Sequence, residues 1–318
     1  MFKYEPFPAT LRLRKGEWLM RILAGTHWNR VVGKRKMARL NMGVRFGPAG
    51  IPLGAIGGNI EGLNYASSLG LDAYEVEFVR GVNMKKEYAG EMRKAAEYEN
   101  VSLSIHAPYY INCCALEKGK IETANRNLME SARIAHVLNA KPVVFHPGFY
   151  LKRPAPICAK QAKETIEKIV QQCESEKLNV LFGLETTGKH TAFGTVEEIV
   201  QLCREVPHTA IVIDFAHIFA RSGTRKKGEY LKIFEYAEKQ LGIRFFHCHF
   251  SEIERNRGGE KSHLALGTNN EPDFNEVAEA IIESGFDFTI ISESPALEQD
   301  ALKMKGVYEE RVTEKRKT

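Results

Sequence analysis

Short apolar runs alternate with longer amphipathic stretches from Val44 onward. Eight runs are rich in β-branched and aromatic residues, which is typical of strands. They are Val44–Gly47, Ala73–Phe78, Ser102–His106, Pro142–His146, Val180–Glu185, Ala210–Asp214, Arg244–His249 and Phe288–Glu293. Helical spacing of apolar positions covers residues 58–69, 84–99, 119–139, 156–177, 195–205, 226–241 and 273–284. Thr195, followed three residues later by Glu198, predicts a capping box at the start of one of these helices.

This alternation predicts the fold class. Strands that alternate with helices form a parallel sheet with crossover helices, so the chain is α/β. Eight such units after residue 42 favour a single closed (β/α)8 TIM barrel over an open doubly wound sheet. The glycines after the first strand, in Gly47–Gly50 and at Gly57 and Gly58, do not have GxGxxG spacing. The spacing therefore disfavours a dinucleotide-binding Rossmann domain.

Composition places the chain among globular proteins. Of 318 residues, 43% are hydrophobic and 27% are charged. No apolar run approaches the roughly 20 residues that cross a bilayer, so the sequence predicts no membrane span. The six cysteines include no CxxC pair, which excludes a disulfide framework and favours a reducing compartment. We expect a cytoplasmic monomer.

The net charge of +5 is unevenly distributed. Residues 1–41 hold ten Lys/Arg against Glu5 and Glu17, a net of +8, whereas the remaining residues carry 35 basic and 38 acidic side chains. The basic segment is interpreted as a disordered arm, a targeting segment, or translated upstream sequence with the natural start at Met42. Because clear periodicity begins only at Val44, the third interpretation is favoured. The predicted organisation is a basic extension at 1–43, a barrel at 44–307 and a charged tail at 308–318.

Side chains that can ligate a metal lie at six of seven successive strand ends, Phe78 being the exception. These six are His106, His146, Glu185, Asp214, His249 and Glu293. His217 follows Asp214 by three residues, and His263 lies in the loop after the seventh strand. The carboxyl ends of barrel strands converge on one face, so these side chains are predicted to surround one cavity. His247, two residues before His249 on the same face of its strand, is expected deeper in the core.

The types of ligand restrict which metal ions the site would bind. Imidazole and carboxylate without thiolate suit Zn²⁺, with Mn²⁺ and Fe²⁺ as alternatives. Three carboxylates exceed the needs of a usual mononuclear zinc site and favour a cluster in which one carboxylate bridges two ions. Such a cluster keeps a positive charge and binds anions such as phosphate.

Six motifs appear in order along the chain. They are His106-Ala-Pro-Tyr-Tyr-Ile-Asn112, His146-Pro-Gly148, Leu184-Glu-Thr-Thr-Gly188, Ile213-Asp-Phe-Ala-His217, His249-Phe-Ser-Glu252 and Ser292-Glu-Ser-Pro295. Together they resemble endonuclease IV, the zinc-dependent apurinic/apyrimidinic (AP) endonuclease family within the xylose-isomerase-like TIM barrels. The resemblance extends from about Val44 to the end of the last strand.

The resemblance implies a DNA-repair endonuclease that hydrolyses the phosphodiester 5′ to abasic sites in double-stranded DNA. It implies a multinuclear zinc cluster in which Glu185 and Glu293 are the catalytic carboxylates. The implied ligands are His106, His146 and Glu185 for the first ion, Glu185, Asp214, His249 and Glu293 for the second, and His217 and His263 for the third. Tyr109 matches the aromatic side chain that enters the DNA at the lesion, and Arg80 matches a minor-groove side chain.

The third ion is where the sequence departs from the family. The family has Asp-x-His where this chain has Lys261-Ser-His263. Three alternatives stay open: Glu260 supplies the oxygen through a one-residue shift, the Lys261 ammonium replaces the charge of the ion and contacts substrate, or Lys261 is a solvated loop lysine. The basic runs Arg221–Lys227 and Arg255–Arg257 follow strands six and seven and could track phosphates, but solvated loops are the favoured interpretation.

A sugar isomerase or epimerase of the same superfamily is the principal alternative function. In that branch a single Mn²⁺, Co²⁺ or Mg²⁺ lies between two carboxylates, and Glu185 and Glu293 would exchange a proton with a small sugar. His106 and His146 favour the nuclease, because they supply a second metal site that isomerases do not need. A catalytically idle ligand-binding barrel is the third alternative.

Overall fold

The computed structural model describes residues 43–317. Its strands are β1 (Val44–Pro48), β2 (Ala73–Glu77), β3 (Ser102–His106), β4 (Val143–Phe145), β5 (Gly148–Phe149), β6 (Phe182–Glu185), β7 (Ala192–Phe193), β8 (Thr209–Asp214), β9 (Phe245–Phe250), β10 (Glu252–Asn256), β11 (Gly259–Leu264) and β12 (Asp287–Ser292). Its helices are α1 (Asn59–Ser68), α2 (Lys86–Glu99), α3 (Lys118–Leu138), α4 (Ala155–Ser175), α5 (Val196–Glu205), α6 (Phe215–Ser222), α7 (Lys227–Leu241), α8 (Phe274–Ser284) and α9 (Glu298–Lys315).

Eight parallel strands form one sheet, in the order β1-β12-β9-β8-β6-β4-β3-β2. The two outer strands of this order meet each other. The Asp72 amide donates to the Phe46 carbonyl at 3.1 Å, and the Gly50 amide donates to the Glu75 carbonyl at 2.8 Å. The sheet therefore closes on itself, which confirms the predicted TIM barrel.

Closure requires a residue without a side chain on β1. A Cβ on Gly47 would lie 1.9 Å from the carbonyl oxygen of Ala73 on β2, where no atom fits. We expect Gly47→Ala to destabilise the protein by about 2–3 kcal/mol, because a rigid backbone must move to admit the methyl group. Thermal unfolding of Gly47→Ala beside Gly70→Ala measures this. Gly70 faces open space and has a positive φ of +83°, so its substitution reports backbone strain alone.

The eight predicted strands are present, with ends that shift by up to two residues. The predicted capping box is confirmed: the Glu198 amide donates to Thr195 Oγ1 at 3.2 Å and the Thr195 amide donates to Glu198 Oε2 at 2.9 Å. The structure adds helices α6 and α9 and the hairpin β10–β11, none of which the periodicity indicated. Residues 308–315, assigned from sequence to a charged tail, continue helix α9. The predicted basic extension lies outside the described residues apart from Gly43.

The helices surround the barrel and bury their apolar faces against it, forming one large core cluster that includes Phe46, Phe182 and Phe234. Among the described residues, no helix is long and apolar enough to cross a membrane. The interior of the barrel is less uniformly apolar than this outer layer. At the carboxyl ends of the strands it holds buried carboxylates and imidazoles, among them Glu185, Asp214 and His249.

Candidate metal centre

The first group of ligands predicted from sequence meets at the ends of β3, β4 and β6. His106 Nε2 lies 3.2 Å from Glu185 Oε2, and His146 Nε2 lies 2.8 Å from the same oxygen. The His106 and His146 rings are close to perpendicular, with centroids 5.7 Å apart. Two imidazoles from different strands therefore converge on one carboxylate oxygen, as ligands of a common ion do.

A second group shares Glu185 with the first. One ligand atom each from Glu185, Asp214, His249 and Glu293 lies within 4.8 Å of the others. His249 Nδ1 is 3.3 Å from Glu185 Oε1 and 3.0 Å from Glu293 Oε1. Because Glu185 turns Oε2 to the first group and Oε1 to the second, its carboxylate has the position of a bridge between two cations.

A third group consists of His217, His263 and Glu260. His217 Nε2 lies 3.4 Å from Glu260 Oε2, and the two histidine rings are 5.4 Å apart between centroids. The structure thus brings the two predicted histidines together. It also supplies a carboxylate from Glu260, the first of the three alternatives considered for this loop.

A β-bulge in the hairpin explains how Glu260 reaches this group. Side chains alternate along a strand, so Glu260 and His263, three residues apart, would ordinarily point to opposite faces. The register shifts here, because Glu254 pairs with Ser262 while Arg255 pairs with Glu260, which leaves Lys261 as the extra residue. The bulge takes up one position, so Glu260 and His263 point to the same face. In a regular strand without a bulge, an Asp-x-His spacing gives the same result, because residues two apart share a face.

Lys261 does not take the place predicted for it as a substitute for the third ion. Its Nζ lies 2.6 Å from Glu254 Oε1, and about half of the side chain is exposed. The bulge that brings Glu260 inward leaves the lysine to pair with the opposite strand of the hairpin. The structure therefore agrees with the interpretation of Lys261 as an exposed loop lysine.

Three of the imidazole rings have Nδ1 within hydrogen-bond distance of a backbone carbonyl. Nδ1 of His106 donates to the Ala107 carbonyl at 2.9 Å, and Nδ1 of His217 donates to the Thr186 carbonyl at 3.0 Å. Nδ1 of His263 lies 3.1 Å from the Glu293 carbonyl. These bonds keep a proton on Nδ1, so Nε2 is the nitrogen that would ligate a metal after losing its own proton.

The buried carboxylates of the centre need positive charge close to them. Burial alone would raise the pKa of Glu185, but the imidazoles of His146 and His249 hold it well below its usual range. Burial would lower the pKa of His106, but Glu77 and Glu185 raise it to about 10. Without metal, the carboxylates are thus balanced by protonated imidazoles. Divalent cations would displace these protons and supply the same positive charge.

One buried ligand atom supports this fit. Asp214 Oδ2 has no hydrogen-bond partner among the described residues. The other oxygen of Asp214 accepts from the His217 amide at 2.6 Å, which fixes the carboxylate in place. A buried polar atom without a partner is costly, so Asp214 Oδ2 fits metal ligation. The residues present therefore suit an N/O-ligated cluster of divalent ions.

Sequence reasoning missed two carboxylates on β2. Glu75 and Glu77 point into the barrel, and with Glu293 they form a further close set of carboxylates. Burial raises the pKa of Glu77 to about 8, and its Oε1 has no hydrogen-bond partner within the described chain. The signal was present in the sequence, because acidic residues two apart in an otherwise apolar strand share one face. A search for ligands at the last residue of each predicted strand misses it, because the last residue of this run is the apolar Phe78.

The predicted DNA-contacting residues lie at the mouth of the barrel. Tyr109 is 61% exposed, and its ring centroid is 5.8 Å from that of His106. Arg80 is exposed in the loop after β2. The structure therefore brings Tyr109 next to the candidate metal ligands, while Arg80 stays a predicted contact.

Most of the basic side chains in the runs Arg221–Lys227 and Arg255–Arg257 contact other groups of the protein. Arg221 donates to the carbonyls of Thr187, Lys189 and Ala192, so it holds the loop after β6. In the same run, acidic partners pair with the next three basic residues: Arg225 with Glu271, Lys226 with Glu276, and Lys227 with Glu283. Arg255 lies 4.4 Å above the Phe219 ring. These pairings come from segments distant in sequence.

Sequence comparisons place the chain among known proteins. A profile described as xylose isomerase-like TIM barrel matches residues 63–310. An uncharacterised protein of Methanocaldococcus jannaschii is 40% identical over 273 residues, covering 83% of this chain and 97% of that relative. A probable endonuclease 4 of Mycoplasma mobile is 32% identical over 146 residues, covering 43% of this chain and half of that relative.

Solved structures agree on the fold. Endonuclease IV from Thermus thermophilus superposes with a TM-score of 0.61 at 19% identity, covering 84% of this chain and 99% of that one. A D-tagatose 3-epimerase-like protein superposes with a TM-score of 0.62 at 20% identity, with the same coverage. Because nuclease and epimerase match equally well, the fold by itself does not select the activity.

Proposed function

Because the chain belongs to the xylose isomerase-like TIM barrel family, we propose that it is a metal-dependent phosphodiesterase that cleaves double-stranded DNA 5′ to abasic sites. The observation that carries the proposal is the linkage of ligand groups through Glu185. His106 and His146 build a group beside the one that contains Glu293, and His217, Glu260 and His263 build another. An epimerase needs only one ion between Glu185 and Glu293. The five ligands in the two additional groups would then have no metal to bind.

The ligand sets suggest what each part of the chain does. His106, His146 and Glu185 would hold one ion, Glu185, Asp214, His249 and Glu293 a second, and His217, Glu260 and His263 a third. Zinc suits this mixture of imidazole and carboxylate ligands. When bound, such ions activate water and neutralise the charge that develops on phosphate oxygens. The hydrogen bonds to backbone carbonyls keep the rings oriented, and Glu185 would be a ligand shared by the first two groups.

Metal stoichiometry and a defined DNA substrate test the proposal together. The protein would be loaded with Zn²⁺, its bound metal counted by atomic emission, and a duplex with one tetrahydrofuran abasic analogue added. We expect two or more ions per chain and a nick on the 5′ side of the lesion. A single bound ion, an intact duplex and turnover of a ketose would establish the epimerase instead.

Tyr109 should affect substrate binding and leave the metals in place. We expect Tyr109→Ala to raise the KM for the abasic duplex roughly tenfold, since stacking against a base is worth about 1–3 kcal/mol. Tyr109→Phe should retain most of the affinity because the ring remains. Tyr98→Ala is the matched control, because Tyr98 is 88% exposed on α2, away from the strand ends. Equal KM values for Tyr109→Ala and Tyr98→Ala would remove Tyr109 from the binding surface.

A further inference from the structure

Glu75 is a fully buried carboxylate that lies outside the three ligand groups of the proposed cluster. It faces the barrel interior on β2, in register with Ser104 on β3. Ser104 Oγ donates to Glu75 Oε2 at 2.6 Å, and His247 Nε2 lies 3.0 Å from the same oxygen. Burying a carboxylate is costly unless hydrogen bonds and opposite charges compensate it. The contacts of its two carboxylate oxygens show which side chains compensate its charge.

The other oxygen of Glu75 contacts a ligand of the second group. Glu75 Oε1 lies 2.9 Å from His249 Nε2, a close ion pair rather than a well-aligned hydrogen bond. The opposite nitrogen, His249 Nδ1, faces Glu293 Oε1 at 3.0 Å. Both ring nitrogens of His249 face carboxylates, because Nδ1 is also 3.3 Å from Glu185 Oε1. A metal ion held by Glu185 and Glu293 would displace the proton on Nδ1, and Glu75 would then keep the remaining proton on Nε2.

His249 differs from the other anchored histidines in how it is held. His106, His217 and His263 use backbone carbonyls, which are available at strand ends and in loops. His249 lies within β9, which is paired with β8 on one side and with β12 on the other, so its neighbouring carbonyls are engaged in the sheet. A side chain must supply the acceptor instead. Glu75 reaches it from β2 through the interior of the barrel.

We infer that Glu75, oriented by Ser104 and His247, is a positioning residue that fixes the tautomer of His249 and directs Nδ1 to the second metal ion. A carboxylate behind a ligating imidazole also raises the basicity of the ligand and typically changes metal affinity by about 10- to 100-fold. The inference rests on the metal ion of the proposed function but does not depend on abasic DNA as the substrate.

The same side chains offer a competing interpretation. Glu75, His247 and His249 bring ligand atoms within 4.8 Å of one another and would themselves hold an ion. In that case the deep set is an additional metal site and His249 is not positioned for the second group. Stoichiometry separates the two interpretations, because a positioning role changes affinity and a metal site changes the number of ions.

The experiment compares Zn²⁺ and Co²⁺ binding by wild type, Glu75→Gln and His247→Phe. Competition with a chromogenic chelator gives the affinity and stoichiometry, and the visible absorption of bound Co²⁺ reports the geometry of its ligands. Glu298→Gln is the matched control, because Glu298 is a similarly buried carboxylate that accepts from the Leu53 and Gly54 amides. Thermal unfolding of each metal-free protein gives the purely structural cost.

For Glu75→Gln we expect one ion to bind about 10- to 100-fold more weakly, an altered Co²⁺ spectrum and an unchanged number of ions at saturation. Glu298→Gln should lower stability and leave both metal readouts unchanged. Wild-type affinity and spectrum in Glu75→Gln would overturn the inference, as would loss of one ion at saturation in both Glu75→Gln and His247→Phe. A wild type that binds metal but leaves the abasic duplex intact would refute the proposed function alone.

Discussion

Replacing Glu185 with glutamine is expected to abolish nicking of the abasic duplex and to lower the metal content of the protein. Glu185 is the carboxylate that the first two ligand groups share, with Oε2 facing His106 and His146 and Oε1 facing His249. Glutamine keeps the shape but removes the negative charge. Two cations would then lie close together without the anion between them. We expect activity to fall on the order of 10³-fold or more, as loss of a charge-stabilising group at a reacting centre commonly does.

The measurement pairs atomic emission with the nicking assay on the same folded sample. Circular dichroism of the metal-free protein separates loss of metal from loss of structure. Glu97→Gln is a suitable control, since Glu97 forms an exposed i,i+4 ion pair with Arg93 on α2. Full metal content and full activity in Glu185→Gln would refute the assignment of Glu185 as the bridging ligand.

Glu260→Gln and Lys261→Met should have opposite outcomes although the two residues are neighbours. Glu260 lies with His217 and His263, so its loss should remove one bound ion and reduce nicking by about 10²- to 10³-fold. Lys261 pairs with Glu254 on the surface of the hairpin, so its substitution should change activity by less than about twofold. Metal counts and nicking rates of both variants, measured side by side, check the expectation.

The effects of the Glu260 and Lys261 substitutions show which of the two side chains of β11 faces the third ligand group. If Lys261→Met lost activity while Glu260→Gln did not, the ammonium would be the functional group and the third ion would be absent. His217→Ala serves as a second probe of the third group, because His217 Nε2 faces Glu260 Oε2. It should reproduce the loss of one ion seen in Glu260→Gln.

The sequence alone was sufficient for the barrel and for most of the predicted centre. Each strand-like run is short, apolar and followed by a helical period, and this order leaves few architectures other than a closed parallel barrel. The ends of parallel strands meet on one face whatever the loops do, so His106, His146, Glu185, Asp214 and His249 were predicted to meet. Thr195 could be recognised as a cap because its bonds lie within four residues of the chain.

The tertiary structure decided the features that depend on contacts between distant segments. Whether Glu260 or Lys261 faces His217 depends on a bulge in the pairing of β10 with β11, and a shift of one residue reverses every side chain beyond it. The salt bridges that neutralise Arg225 and Lys226 depend on acidic residues some fifty positions away. Glu75 contacts His249 only because the closed barrel encloses both. Local periodicity therefore determined the fold and the strand-end ligands, whereas barrel closure and strand register determined which other side chains surround them.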